Sequence, residues 1–152
     1  MPFVTTRQQI VEAAKSMLGV PFLHQGRDEK LGVDCVGLLV VIGRKIGYPE
    51  IVDITDYRRM PKAEVIRATI CQNCDEIPVE EAGIGDFFLM AMTGRKLRHA
   101  AVKISDETDI PKGIQPMLIH AGGLCQGKVK MEPISMYKHK IGAAFRVRGL
   151  ID

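Results

Sequence analysis

Hydrophobic and polar positions divide the chain into a helical first half and a strand-rich second half. Near the N-terminus Ile10, Val11, Ala14, Met17 and Leu18 recur at the three-and-four spacing of an amphipathic helix. Ahead of them Thr6-Arg7-Gln8-Gln9 has the capping-box pattern, in which Thr6 and Gln9 each satisfy a backbone donor. A first helix is predicted from Thr6 to Leu18, closed by Gly19. Val36 to Ile46 is mostly apolar with no clean polar stripe, which predicts a helix buried on most sides. Gly47 ends it and Pro49 prevents its resumption. Residues 48–61 are irregular, with Pro49, Pro61 and the polar cluster Asp53, Thr55 and Asp56. Residues 62–71 carry Ala63, Val65, Ile66, Ala68 and Ile70, a short helix.

Beyond residue 80 the apolar runs shorten to strand length. They are 86–92, 99–104, 117–121, 128–131 and 143–147, with Gly85-Asp86, Thr93-Gly94 and Ala121-Gly122-Gly123 supplying turns. Helices followed by strands predict an α+β fold, with N-terminal helices packed on a mainly antiparallel sheet of about five strands. No repeat, low-complexity segment or linker divides the chain, so residues 1–152 are expected to form one domain.

Composition narrows the function classes. The formal net charge is +3 and the basic residues are scattered, which gives no footprint for nucleic acid. No apolar stretch reaches the ~18 residues of a membrane span. The N-terminus lacks a basic region followed by an apolar run, so no signal peptide is expected. Cys35, Cys71, Cys74 and Cys125 form no disulfide framework and are expected as thiols made in a reducing cytoplasm. Cys71-Gln72-Asn73-Cys74 is a single C-x-x-C pair, two ligands where a structural zinc site wants four.

Candidate chemistry gathers at Asp34-Cys35-Val36-Gly37-Leu38. Asp34 is placed to cap the buried helix, which sets Cys35 in its first turn. The positive end of a helix favours a thiolate, so Cys35 is a candidate nucleophile with a lowered pKa. Structural burial is the commoner fate of a lone cysteine. Two later histidines shift that balance. Thiol-based acyl transfer needs an imidazole to take and return the proton, and a polar group to orient it. His99 opens one predicted strand and His120 ends the next, which suits them to those two roles. The Cys35 backbone N–H is available for an oxyanion. Among the remaining candidates, His24 lines a cleft or is a plain loop residue. His139 is expected to be exposed; Cys125 is expected as filler, the alternative being that it reaches the site mouth.

These motifs, in this order, resemble the NlpC-type cell-wall cysteine peptidases, and among them the phage-tail branch. Gly19-Val20-Pro21-Phe22 is similar to the family's Gly-x-Pro-Tyr, and His24-Gln25 to the phage-tail branch. Asp34-Cys35-Val36-Gly37-Leu38 matches the nucleophile motif, and Gly85-Asp86 the start of a strand. His99-Ala100-Ala101-Val102 matches the strand of the base, and Ile119-His120-Ala121 that of the orienting residue. The resemblance implies a papain-like fold and a Cys35-His99-His120 triad. It also implies hydrolysis of an amide in the peptide stem of bacterial peptidoglycan, with no metal or cofactor. Phe22, His24, Asp34 and Val36 would lie along the substrate cleft. It further implies a tail-tip component, made without a signal peptide, that acts on the host wall beside other tail-tip proteins. Two departures stand out. Phe22 replaces a tyrosine, and the segment between His99 and His120 is long, with extra residues near 105–116 read as an enlarged hairpin loop. These leave room for an alternative, a tail structural or assembly protein with little or no activity. Acyl transfer on the same triad, and a zinc site formed by Cys35, His99 and His120, are further alternatives.

Overall fold

The computed structural model describes residues 2–58, 61–106, 115–122 and 127–152. Three helices come first: α1 (Arg7–Ser16), α2 (Cys35–Lys45) and α3 (Ala63–Cys71). A two-stranded hairpin, β1 (Arg27–Asp28) and β2 (Gly32–Val33), leads into α2. The main sheet holds β3 (Cys74–Ile77), β4 (Phe87–Met90), β5 (His99–Lys103), β6 (Met117–Ala121), β7 (Val129–Pro133) and β8 (Ile141–Val147). Its order is β3-β8-β4-β5-β6-β7, and every pairing is antiparallel. The predicted α+β class stands, with six strands in the main sheet where about five were expected.

Local rules account for the helices. The capping box at Thr6 forms as predicted, with Thr6 Oγ1 accepting from the Gln9 backbone and the Gln9 side chain from the Thr6 backbone. The helix stops at Ser16, two residues before the predicted Leu18. Helix α2 is buried along most of its length, including Cys35, Val36, Gly37, Leu38, Val40, Val41 and Ile42. Gly47 leaves it at φ +81°, the left-handed turn that glycine makes without strain.

The sheet's alternation builds two apolar layers. Phe87, Leu89, Ala100, Val102, Ile119, Ala121 and Phe145 belong to the core that holds α1 and α2. Phe88, Met90, Ala101, Leu118 and Ala144 turn to the other face and pack with Tyr137, from the 3-10 turn Ile134–Tyr137. Residue 103 pairs with 118, and 118 with 132, so alternation places His99, His120 and Glu132 together on this second face.

A loop crosses the start of α2. Residues 19–22 run beside β7, with Gly19 N–H donating to the Val129 carbonyl and Phe22 N–H to that of Gly127. The chain then turns over the helix at Gly26. A Cβ on Gly37 would lie 1.9 Å from the Gly26 carbonyl oxygen, so only glycine lets the loop sit on this turn. Gly37→Ala is expected to lower stability by about 1–3 kcal/mol, the usual range for overpacking, as read from urea unfolding.

Candidate active site

The site begins with a buried carboxylate. Asp34 is the N-cap of α2 and accepts from the Gly37 N–H at 2.8 Å. The same carboxylate accepts from the Gln25 N–H at 2.9 Å, from Arg27 Nη1 at 3.1 Å and from the Tyr57 hydroxyl. Arg27 also holds Asp53 at 2.8 Å, the Ile54 carbonyl at 3.1 Å and the Tyr57 hydroxyl at 3.0 Å. Asp34 is therefore a cap and the hub of a buried network, which fills its acceptor positions. Arg27, Asp53 and Tyr57 were not singled out as site residues from the sequence. Arg27 comes from β1, while Tyr57, which meets Asp34 directly, and Asp53, which meets it through Arg27, lie in an irregular stretch with no local signal.

Cys35 follows the cap and is 5% exposed. Its thiol donates to the Arg98 carbonyl at 3.8 Å, at the peptide preceding His99. Burial pushes the thiol up to about 12, and the neighbouring Asp34 adds to this. Backbone N–H groups of Ala100, Val36 and Cys35 pull the other way and are outweighed. The expectation of a lowered pKa at the helix start is thus corrected. Desolvation and an adjacent carboxylate exceed the pull of the helix end.

His99 and His120 come together as predicted. His99 Nε2 lies 2.7 Å from His120 Nδ1, with the rings edge to face. Burial, with the neighbouring His120, lowers His99 to about 3, and burial also lowers His120. The resting site therefore holds a neutral thiol and two neutral imidazoles. Among the described residues the thiol donates to the Arg98 carbonyl, and no hydrogen bond joins it to the His99 ring.

Beyond His120 the chain of contacts continues through a residue the sequence analysis did not name. Glu132 Oε1 lies 2.5 Å from His120 Nε2 and accepts from the Tyr137 hydroxyl at 2.7 Å. Lys130 Nζ stands 3.6 Å from the same oxygen. Burial acts to raise the Glu132 carboxyl, but hydrogen bonds from Tyr137 and His120 overcome it and leave the group below its ordinary value. The only sequence signal was position, since β7 is short and follows the strand that carries His120.

The other candidates separate. Phe22 is half-buried, packs against the main core and pairs with Val33 just before Asp34 and Cys35. His24 is exposed and lies edge-on to Tyr57 at 5.6 Å. Val36 is fully buried and Asp34 is 3% exposed with its carboxylate engaged, so neither lines an open cleft as expected. His139 is exposed. Cys71 is an exposed free thiol and Cys74 a buried one. Cys125 and residues 107–114 of the long loop lie outside the described residues. Among the described residues no group of three or more His, Cys, Asp or Glu is placed to hold a metal ion. No helix among them is long and apolar enough to cross a membrane.

Histidines held neutral by the fold link stability to pH. The unfolded chain binds a proton at His99 near the ordinary value of 6.5, while the folded chain binds it only near 3. Stability is therefore full above pH 6.5 and falls as the pH drops below it. From pH 7 to pH 5, above the carboxylate range, His99 alone should remove about 2 kcal/mol. Urea unfolding across that window should show the loss, and His99→Gln should flatten it.

No protein-family model and no curated protein matches the chain. Solved structures do. The NlpC/p60 domain of the peptidoglycan hydrolase SagA aligns at TM-score 0.66 and 19% identity, over 94% of this chain and 100% of that one. An NlpC/p60 family protein from Bacillus cereus gives TM-score 0.67 and 20% identity, over 95% of this chain and 41% of that one. The P60 domain of an antigen from M. avium subspecies paratuberculosis gives 0.59 and 16%, over 96% of both chains. The fold of this chain is that of the NlpC/p60 domains.

Proposed function

We propose that the protein is a cysteine peptidase that hydrolyses an amide bond in the peptide stem of bacterial peptidoglycan. The observation that carries this reading is the hydrogen-bonded His99–His120 pair on the sheet, beside a cysteine at the start of a buried helix. The fold shared with a peptidoglycan hydrolase domain supports the substrate class. In the reaction the Cys35 thiol gives its proton to His99 Nδ1 as sulfur attacks the amide carbonyl. The C–S bond forms, the C–N bond breaks, and the departing amine takes the proton from His99. Water then hydrolyses the thioester, with His99 accepting and returning a proton. Because thiol and imidazole are both neutral at rest, proton transfer accompanies attack rather than preceding it. The thiol must turn from the Arg98 carbonyl to the ring as substrate binds.

The phage-tail assignment extends this reading, with the protein carried to the wall by a tail tip and seated against other tail-tip proteins. It rests on the resemblance of His24-Gln25 to the phage-tail branch. A second reading, a tail protein that keeps the fold with little activity, is favoured by the raised Cys35 thiol.

Purified stem peptides incubated with the protein should give new fragments by mass spectrometry. Cys35→Ala and His99→Ala should each remove nearly all of them, because the groups act as a unit. No fragments across stem chemistries and pH would favour the second reading. Separately, iodoacetamide at pH 7–8 should label exposed Cys71 faster than Cys35, and Cys35 labelling should keep rising towards high pH. Peptide mapping resolves the two. Rapid Cys35 labelling at neutral pH would contradict a protonated resting thiol.

A further inference from the structure

We infer that Glu132 is a positioning residue that fixes the direction of every proton in the chain Tyr137–Glu132–His120–His99, so that His99 presents a bare Nδ1 to Cys35. This rests on the peptidase reading of the site and adds a fourth member to it.

The argument starts from what each group can donate. An ionised carboxylate only accepts. Glu132 stays ionised at neutral pH, since Tyr137 and His120 hydrogen-bond its oxygen and Lys130 stands 3.6 Å away. His120 must then carry its proton on Nε2 to meet Oε1 at 2.5 Å. A neutral His120 has one N–H, so its Nδ1 is bare and accepts across the 2.7 Å contact from His99 Nε2. A neutral His99 that donates from Nε2 is bare at Nδ1, the nitrogen needed as base. Each step leaves one choice. Without the carboxylate the two imidazoles could run their protons in either direction, and one direction places an N–H towards the thiol and blocks it.

The surroundings keep this direction. His120 is 2% exposed, so water does not compete for its nitrogens. The charged and titratable groups around the carboxylate are His120 from β6, Lys130 from its own strand and Tyr137 from the following turn; His99 of β5 meets it through His120. The Tyr137 hydroxyl is a donor to Glu132 and stays protonated, because burial and the carboxylate raise its pKa. When His99 takes the thiol proton, its Nε2–H keeps its place and the Glu132 charge stabilises the imidazolium through His120. No proton needs to cross to Glu132.

The test reads histidine tautomers by long-range 1H–15N NMR on the folded, histidine-labelled protein, without substrate. At pH 7 both His99 and His120 should show the Nε2–H tautomer, apart from His24 and His139. In Glu132→Gln, whose amide both donates and accepts, the pair should become mixed or move towards Nδ1–H. Glu132→Asp should retain a larger share of the wild-type pattern than Glu132→Gln. In the peptide assay Glu132→Gln should lower kcat/KM roughly 10–100-fold, the size found for the carboxylate that orients a metal-bound histidine, which does the same positioning work. A His120 that carries its proton on Nδ1 in the wild type overturns the proposal, and that measurement does not depend on any variant folding. An unchanged pattern in Glu132→Gln overturns it as well. Absence of peptidase activity with the expected tautomers removes the peptidase reading and leaves the proton order standing.

Discussion

The start of helix α2 depends on one buried charge. Asp34 is 3% exposed, and a carboxylate taken out of water is costly unless it is fully partnered. Its partners come from three places: the helix it caps through Gly37, the preceding loop through Gln25 and Arg27, and the 53–57 stretch through Tyr57. Arg27 is itself shared with Asp53, which Arg44 also approaches at 3.4 Å. Two carboxylates and two guanidiniums thus balance within one network. Breaking it at either partner would leave the other charge stranded, which is more destabilising than never having buried the pair. The loop over the helix, the absence of a side chain at Gly37 and the placement of Cys35 all follow from satisfying that carboxylate.

The same charge works against easy thiolate formation. A helix N-terminus favours an anion, but Asp34 already occupies that end and accepts the Gly37 N–H. What remains for Cys35 is a set of backbone N–H groups against full desolvation and a neighbouring negative charge, and the thiol is raised. The helix end is spent on holding the fold. In the proposed reaction, activation of sulfur then has to come from the histidine side of the site.

How much of this was legible in the sequence depended on whether the signal was local. The capping box at Thr6, the apolar run of α2 and the stop at Gly47 are properties of neighbouring residues, and they appear where periodicity placed them. Four-residue β3 was missed because Cys74–Ile77 shows no clear apolar alternation and is held as an edge by pairing with β8. Cys35, His99 and His120 could be singled out because each sits in a recognisable local motif. Tyr57 and Glu132 have no such motif; Tyr57 lies in irregular chain, and Glu132 shares a face with His120 only through the β6–β7 register. The thiol's state was misread for the same reason. The helix end is visible in sequence, whereas the depth of burial belongs to the packed fold.

The sheet explains why histidine-to-histidine contact is stable here despite being two bases of like kind. Alternation puts His99, His120 and Glu132 on one face, and the pairings of β5 with β6 and β6 with β7 set them in a line across three strands. Two adjacent imidazolium ions in a buried site would repel strongly, and burial lowers both pKa values, so the pair stays neutral. Neutral imidazoles are each donor and acceptor, which makes them efficient links but leaves their direction open. A carboxylate at one end of the line closes that freedom. A tyrosine hydroxyl beside the carboxylate reinforces it, since burial and the carboxylate raise the phenol and keep it a donor. The polar row thus has one arrangement of protons and is held by three hydrogen-bonded strands, whereas the thiol arrives from a helix on the other face and rests on the Arg98 carbonyl. Rigidity therefore lies with the histidine row and its supports, and in the proposed reaction the movement that attack requires falls to Cys35.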